Sequence, residues 1–203
     1  MPRVDPAEKK GCMGWVVLGL AAVVALAIWT WLGHGPLAQG IEKARVMEGI
    51  SQVNAIVQAM DAYAKDHGGA YPEGNTSTEV FQKLLDGRYV SDPKIFFVLT
   101  GGKYPAASSQ LDARNVCFDV TGGATAKSPD DLPLVFTSGF NVKYAPGVNA
   151  THATDIVGIV HGMAICAKDG RAHFQRETAD GSVPDFFPAA AVTKDEHYRQ
   201  LKP

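Results

Sequence analysis

The side chains able to do chemistry are few, three cysteines and six histidines in 203 residues. Cys117 and Cys166 fall in apolar stretches that read as strands, and Cys12 opens a long hydrophobic run. A thiol nucleophile would pair Cys117 or Cys166 with His161 or His173, because an imidazole base raises the thiolate fraction. No activating signature surrounds either cysteine. His152, His161 and His173 could be taken as zinc ligands, yet none has a partner at a short, metal-binding interval such as His-x3-His. No catalytic, cofactor-binding or metal-binding residue is therefore expected, and the chain does not read as an enzyme. Asn75-Thr76-Ser77 and Asn149-Ala150-Thr151 are formal glycosylation sequons, and both read as polar loops.

Charge excludes one class of partner. Lys and Arg number 19 against 21 Asp and Glu, a net of −2. No basic face is implied, so no nucleic acid is expected to bind. The hydrophobic residues, by contrast, are unevenly spread. Cys12–Leu32 reads CMGWVVLGLAAVVALAIWTWL without one charge, and at 1.5 Å per residue its helix would measure about 30 Å, a bilayer's hydrocarbon thickness. Residues 12–32 are thus expected to span a membrane, with Trp15, Trp29 and Trp31 near the interfaces. Arg3, Lys9 and Lys10 precede the run and residues 33–42 hold no Lys or Arg. The positive-inside rule then keeps residues 1–11 cytoplasmic and exports 33–203, to the periplasm or the cell exterior. A secretory signal fits poorly, because the run is long and no Ala-x-Ala site follows it. A lipoprotein signal fails too, since the hydrophobic run follows Cys12 instead of preceding it.

His34-Gly35-Pro36 should interrupt the helix, since Pro removes a backbone donor, and residues 33–40 read as a hinge before a head over 41–203. Val46, Ile50, Val53, Val57, Met60 and Ala64 recur at steps of four and three, one helical stripe. The helix should end at His67-Gly68-Gly69. A short helix is expected over Ser77–Asp86, capped by Ser77 or Thr78, with Val80, Phe81, Leu84 and Leu85 inward and Gly87 ending it. Strands are expected over Ile95–Leu99, Asn115–Val120, Leu132–Thr137, Ile156–Ala167 and Arg171–Gln175, the last two joined at Lys168-Asp169-Gly170. Residues 100–113, 121–131 and 138–155 read as loops, and Ala189–Leu201 as a terminal helix. The fold class is α+β: a long N-terminal helix, half transmembrane and half amphipathic, packed on a small antiparallel sheet. Cys117 and Cys166 would then sit in the exported part. A disulfide between them, favoured by an oxidising compartment, and two buried free thiols both remain open, since spacing does not decide.

Three features together resemble the type IV pilin-like proteins, and most closely the pseudopilins of type II secretion systems. Lys9-Lys10-Gly11 stands before the apolar run like a short basic leader. An interrupted helix leads from membrane to head. Ala62–Pro72, AYAKDHGGAYP, looks like the Tyr, Asp, Gly, Tyr-Pro segment that closes the long pseudopilin helix, and Phe81–Pro93 resembles the short helix that comes after it in the family. The resemblance covers roughly residues 9–100. It implies cleavage between Gly11 and Cys12, stacking of subunits through the N-terminal helix and, as in some pseudopilins, calcium at a C-terminal loop, for which Asp180, Asp185 and backbone oxygens between them would be the ligands although they match no defined pattern. It departs at Cys12 and Val16, where the family carries Phe and Glu. The expectation is a structural subunit of a secretion or pilus-like apparatus, in contact with lipid and with other subunits as a homo-oligomer or hetero-complex. The alternative is an uncleaved single-pass accessory subunit of another membrane complex that forms no filament.

Overall fold

The computed structural model describes residues 8–34, 36–100, 102–153, 161–187 and 198–203, with side chains in the first helix described from Trp15 to Thr30. The chain divides into two units, Met1–Lys43 and Ala44–Pro203.

The first unit holds helix α1, Glu8–His34, and the start of α2, Pro36–Asp66. Proline opens α2 where its missing N–H has no helical partner to lose. Every side chain from Trp15 to Thr30 is exposed. Its one hydroxyl turns back on the helix, Thr30 Oγ1 donating to the carbonyls of Leu26 and Ala27 at 3.0 Å. Among the described residues no helix is long and apolar enough to cross a membrane. The stretch from Trp15 to Thr30 falls short of the roughly 20 apolar residues such a crossing needs. A span over residues 12–32 therefore goes beyond the structure.

The second unit is α+β. Its core begins with the stripe on α2: Val53, Val57, Met60 and Ala64 are buried, joined by Ile56 and Ala59, while Val46 and Ile50 are partly covered. Gln52 Nε2 donates to the Phe97 carbonyl at 2.9 Å, and Asn54 Nδ2 to the Gly170 carbonyl at 2.6 Å, pinning the helix across the domain. The helix closes as expected: Gly68 and Gly69 take positive φ of 66° and 90°, and Gly69 N–H bonds the Ala64 carbonyl. Helix α3, Ser77–Asp86, also lies where its periodicity places it. Its cap is Thr76, one residue before the expected Ser77 or Thr78, with Thr76 Oγ1 accepting from Glu79 N–H at 3.2 Å. Ile95–Leu99 is no strand. Asp92 accepts from Lys94 N–H and Pro93 presets φ, which winds Pro93–Phe96 into a 3-10 turn. Phe96 then stacks on Phe81 at 4.6 Å.

Five strands, β1 Phe118–Gly122, β2 Pro133–Thr137, β5 Gly162–Ala167, β6 Ala172–Arg176 and β8 Arg199–Leu201, form an antiparallel sheet in the order β6-β5-β2-β1-β8. One face meets α2 and α3. The other meets a feature absent from the sequence-based expectation, a second sheet of β3 Phe140–Asn141, β4 Ala150–His152 and β7 Ser182–Val183. The central strands are therefore covered on both sides and read as continuous apolar runs. On β5, Ala164 and Cys166 point to the helices, whereas Met163 and Ile165 point to the second cluster with Leu132, Phe136, Phe140, Phe186 and Phe187. A bulge between Pro133 and Val135 lets Leu134 and Val135 both face the helices. The terminal helix expected over Ala189–Leu201 is corrected at its end. Residues 188–197 lie outside the described residues, and Arg199–Leu201 pairs with β1, burying Leu201.

Gly162 shows how tightly the β5–β6 hairpin closes. A Cβ there would stand 2.5 Å from both the Gln175 carbonyl oxygen and the Phe174 ring. Backbone cannot yield as a flexible side chain can, so Gly162→Ala is expected to destabilise the domain by about 1–3 kcal/mol. Denaturant unfolding measures it, and an unchanged midpoint would refute the close packing.

Candidate functional site

The sequence singles out three histidines, and the fold brings two of them together on one carboxylate. The Asp169-Gly170 turn, with Gly170 at φ 83°, sets the hairpin register that pairs Gly162 with Arg176. One step further out, His161 faces Glu177, whose N–H donates to the His161 carbonyl at 3.0 Å. His161 Nδ1 bonds Glu177 Oε1 at 2.8 Å, and His152 Nε2, from the end of β4, bonds Glu177 Oε2. The carboxylate thus joins the second sheet to the first. Sequence reasoning misses Glu177, although counting back from the turn pairs 161 with 177. Its side chain is 14% exposed, His152's 31% and His161's 74%. Burial pushes the Glu177 carboxyl up, and the hydrogen bonds from the two imidazoles outweigh it, holding the group below its ordinary range. The His152 ring lies against Phe140 at 4.8 Å and beside Gly181, where a Cβ would come within 3.0 Å of it. Its Nδ1 is buried with no partner among the described residues.

The cluster works as a strut. Glu177→Ala would take the partner from the half-buried His152 ring, whereas His161 stays open to water, and is expected to cost about 1–2 kcal/mol. A variant that unfolds within about 0.5 kcal/mol of the parent would show the strut idle. Among the described residues no three His, Cys, Asp or Glu side chains are arranged to hold a metal ion. His173 is apart, on β6 across from Ile165. Burial, and then Arg171, push its imidazole down.

Of the two outcomes open for the cysteines, the disulfide is corrected to free thiols. Cys117 and Cys166 are free and buried. Strand β2 lies between β1 and β5, and Val135 pairs with Val120 on one side and Cys166 on the other. Two strand spacings, about 10 Å, and three residues along β1 therefore separate the thiols. A disulfide needs α-carbons within about 7 Å. The thiols bond backbone instead, Cys117 Sγ to the Val98 carbonyl and Cys166 Sγ to the Ala167 carbonyl, both at 3.5 Å. Burial pushes both up, Cys166 to about 12, which keeps them protonated and poor nucleophiles. Nor does His173 serve Cys166: His173 sits opposite Ile165, and Ile165 and Cys166 face opposite sides of the sheet.

Asp180 caps its own turn. Its Oδ1 accepts from Thr178 Oγ1, Ser182 Oγ and Ser182 N–H, which holds the carboxyl down at about 2. Asp185, at φ 50°, lines a separate open groove of about 580 Å³ with Ile165, Arg171, His173 and Phe186. Gly11 and Cys12 lie within α1, their side chains outside those described.

The segment that carries the resemblance has a structural use. Tyr63 stacks on His67 with centroids 3.8 Å apart, and Tyr89 meets Tyr63 edge-on while its hydroxyl donates to Asp66 at 2.8 Å. Tyr71 Oη donates to Asp61 at 2.7 Å, and burial followed by that bond raises its phenol well above the ordinary range. These bonds fasten the end of α2 to Tyr71 and to Tyr89, just beyond α3. Comparison with known proteins finds no matching family model, no matching curated protein and no matching solved structure.

Proposed function

We propose that the chain is a membrane-anchored structural subunit resembling a pseudopilin of a secretion or pilus-like apparatus, without catalysis or a cofactor. The observation that carries the reading is the order of elements. An apolar helix with every described side chain exposed comes first, then a helix that buries one stripe on an antiparallel sheet and gives way to Tyr71-Pro72. Ten large apolar side chains of α1, from Trp15 at 81% to Trp29 at 79%, are exposed. An area so large and so apolar demands a cover. The proposed cover is membrane lipid and the N-terminal helices of other subunits, with α1 crossing the inner membrane over residues 12–32, residues 1–11 in the cytoplasm and the head outside.

A second reading, an uncleaved accessory subunit that forms no filament, is favoured by Val16, which is apolar and 58% exposed where the family carries its glutamate. After cleavage the amine of Cys12 would have no such carboxylate to meet, and an unpaired ammonium in hydrocarbon costs several kcal/mol. Intact-protein mass spectrometry on native membranes tests both readings. A mass beginning at Cys12 is expected for the assembling subunit and the full-length mass for the fixed one. Recovery of the chain only in the fraction released by alkaline carbonate would overturn both.

A further inference from the structure

Asp119 is an acid with no counter-charge in contact among the described residues. It stands on β1 opposite Phe136, fully buried on the face between the two sheets. Its Oδ2 accepts from Gln200 Nε2 at 2.6 Å, and its Oδ1 has no partner among the described residues. Gln200, on β8, does more than meet the carboxyl. Its Nε2 also donates to the Phe140 carbonyl at 2.7 Å, and its Oε1 accepts from Val142 N–H at 3.1 Å. One amide thereby ties the C-terminal strand to β1 and to the second sheet. Strand β8 itself is three residues long and, among the described residues, pairs with β1 alone.

We propose that Asp119 and Gln200 form a proton-operated latch: while the Asp119 carboxyl is neutral, β8 stays docked, and when it ionises β8 leaves β1. The charged groups around it relieve the charge only in part, and burial outweighs them. Lys202 reaches towards it, but its ammonium is held by Asn141 Oδ1 at 2.6 Å. Lys103 approaches from the loop before Ala113–Asn115 and donates to the Ala113 carbonyl at 2.6 Å. Tyr144 bonds Thr121 Oγ1, and the Cys117 thiol lies two residues before Asp119, just ahead of β1. A carboxylate with one hydrogen bond in an apolar interior costs several kcal/mol, and water is its cheapest remedy. The element bonded to the Asp119 carboxyl through Gln200 is β8, a three-residue strand at the sheet edge, and it is the one expected to yield. Burial, opposed by the Gln200 bond and by Lys202 and Lys103, pushes the carboxyl up to about 7, so the latch turns near neutrality. Its opening bares the edge of Phe118–Gly122, to which an extended segment of a partner could add.

Amide hydrogen exchange on the full chain in lipid at pH 5.5 and pH 8.5, corrected for intrinsic base catalysis, tests the latch. Peptides covering 198–203 are expected to lose at least about tenfold in protection at pH 8.5 while those covering 162–176 hold theirs, and Asp119→Asn is expected to stay protected at both values. Equal corrected protection of 198–203 at the two pH values in the native chain, or the same loss in Asp119→Asn, would overturn the proposal. Should the variant not fold, the Asp119 carboxyl carbon followed by NMR in the native chain decides. A titration midpoint that coincides with the loss of protection is expected, and a midpoint in the ordinary aspartate range refutes it.

Discussion

Val53→Asp is expected to unfold the head. Val53 is fully buried at the centre of the α2 stripe, in the same cluster as Phe81, Phe118, Leu134 and Cys166. Removing the valine forfeits about 1.5–3 kcal/mol of burial, and the carboxylate that replaces it has no cation among these neighbours. The two losses together come to about 5 kcal/mol or more, comparable with the whole stability of an ordinary domain. Circular dichroism should show no cooperative melt, and amides over residues 45–64 should exchange freely. Val53→Ala, which leaves a small cavity and no charge, should melt cooperatively at a lower temperature. A Val53→Asp head that melted within a few degrees of the parent would mean that the stripe does not hold the head together.

Phe136→Ala is the second large effect, and it should be local. Phe136 is fully buried in the cluster between the two sheets, its ring edge-on to Phe186 at 4.9 Å. Truncation of a core phenylalanine costs about 3–5 kcal/mol. Strands β3, β4 and β7 are two or three residues long, too short to hold by pairing alone. Amides over 140–152 should therefore lose protection first, while residues 53–64, which belong to the cluster on the opposite face, keep theirs. Equal loss on both faces would show that the two clusters open as one unit.

The two variants sample what was legible in different degrees. The α2 stripe, its glycine stop and α3 could be read directly, because a helix satisfies its backbone within one segment and its buried positions recur at 3.6 residues. The β5–β6 hairpin was equally legible through Asp169-Gly170, since a tight turn sets its own register. The second sheet was not. Phe140–Asn141, Ala150–His152 and Ser182–Val183 are shorter than any period-two pattern can mark, and they are strands only because a sheet behind them supplies an apolar face. Ile95–Leu99 failed for the opposite reason: an apolar run promised a strand, and Asp92-Pro93 wound its first half into a turn.

Among the candidate residues, the sequence by itself determined the inventory: few nucleophiles, no clustered metal ligands, an uncharged run at residues 12–32 and an interrupted helix after it. Tertiary structure alone decided which of these residues meet. Cys117 and Cys166 stay apart because a strand lies between theirs, a matter of sheet order that no spacing encodes. His152 and His161 converge on Glu177 because the hairpin register and the second sheet bring three strand ends to one corner. Asp119 and Gln200, 81 positions apart, meet because the last strand returns to the edge of the first. Contacts of that kind depend on which faces are buried, and burial belongs to the folded whole.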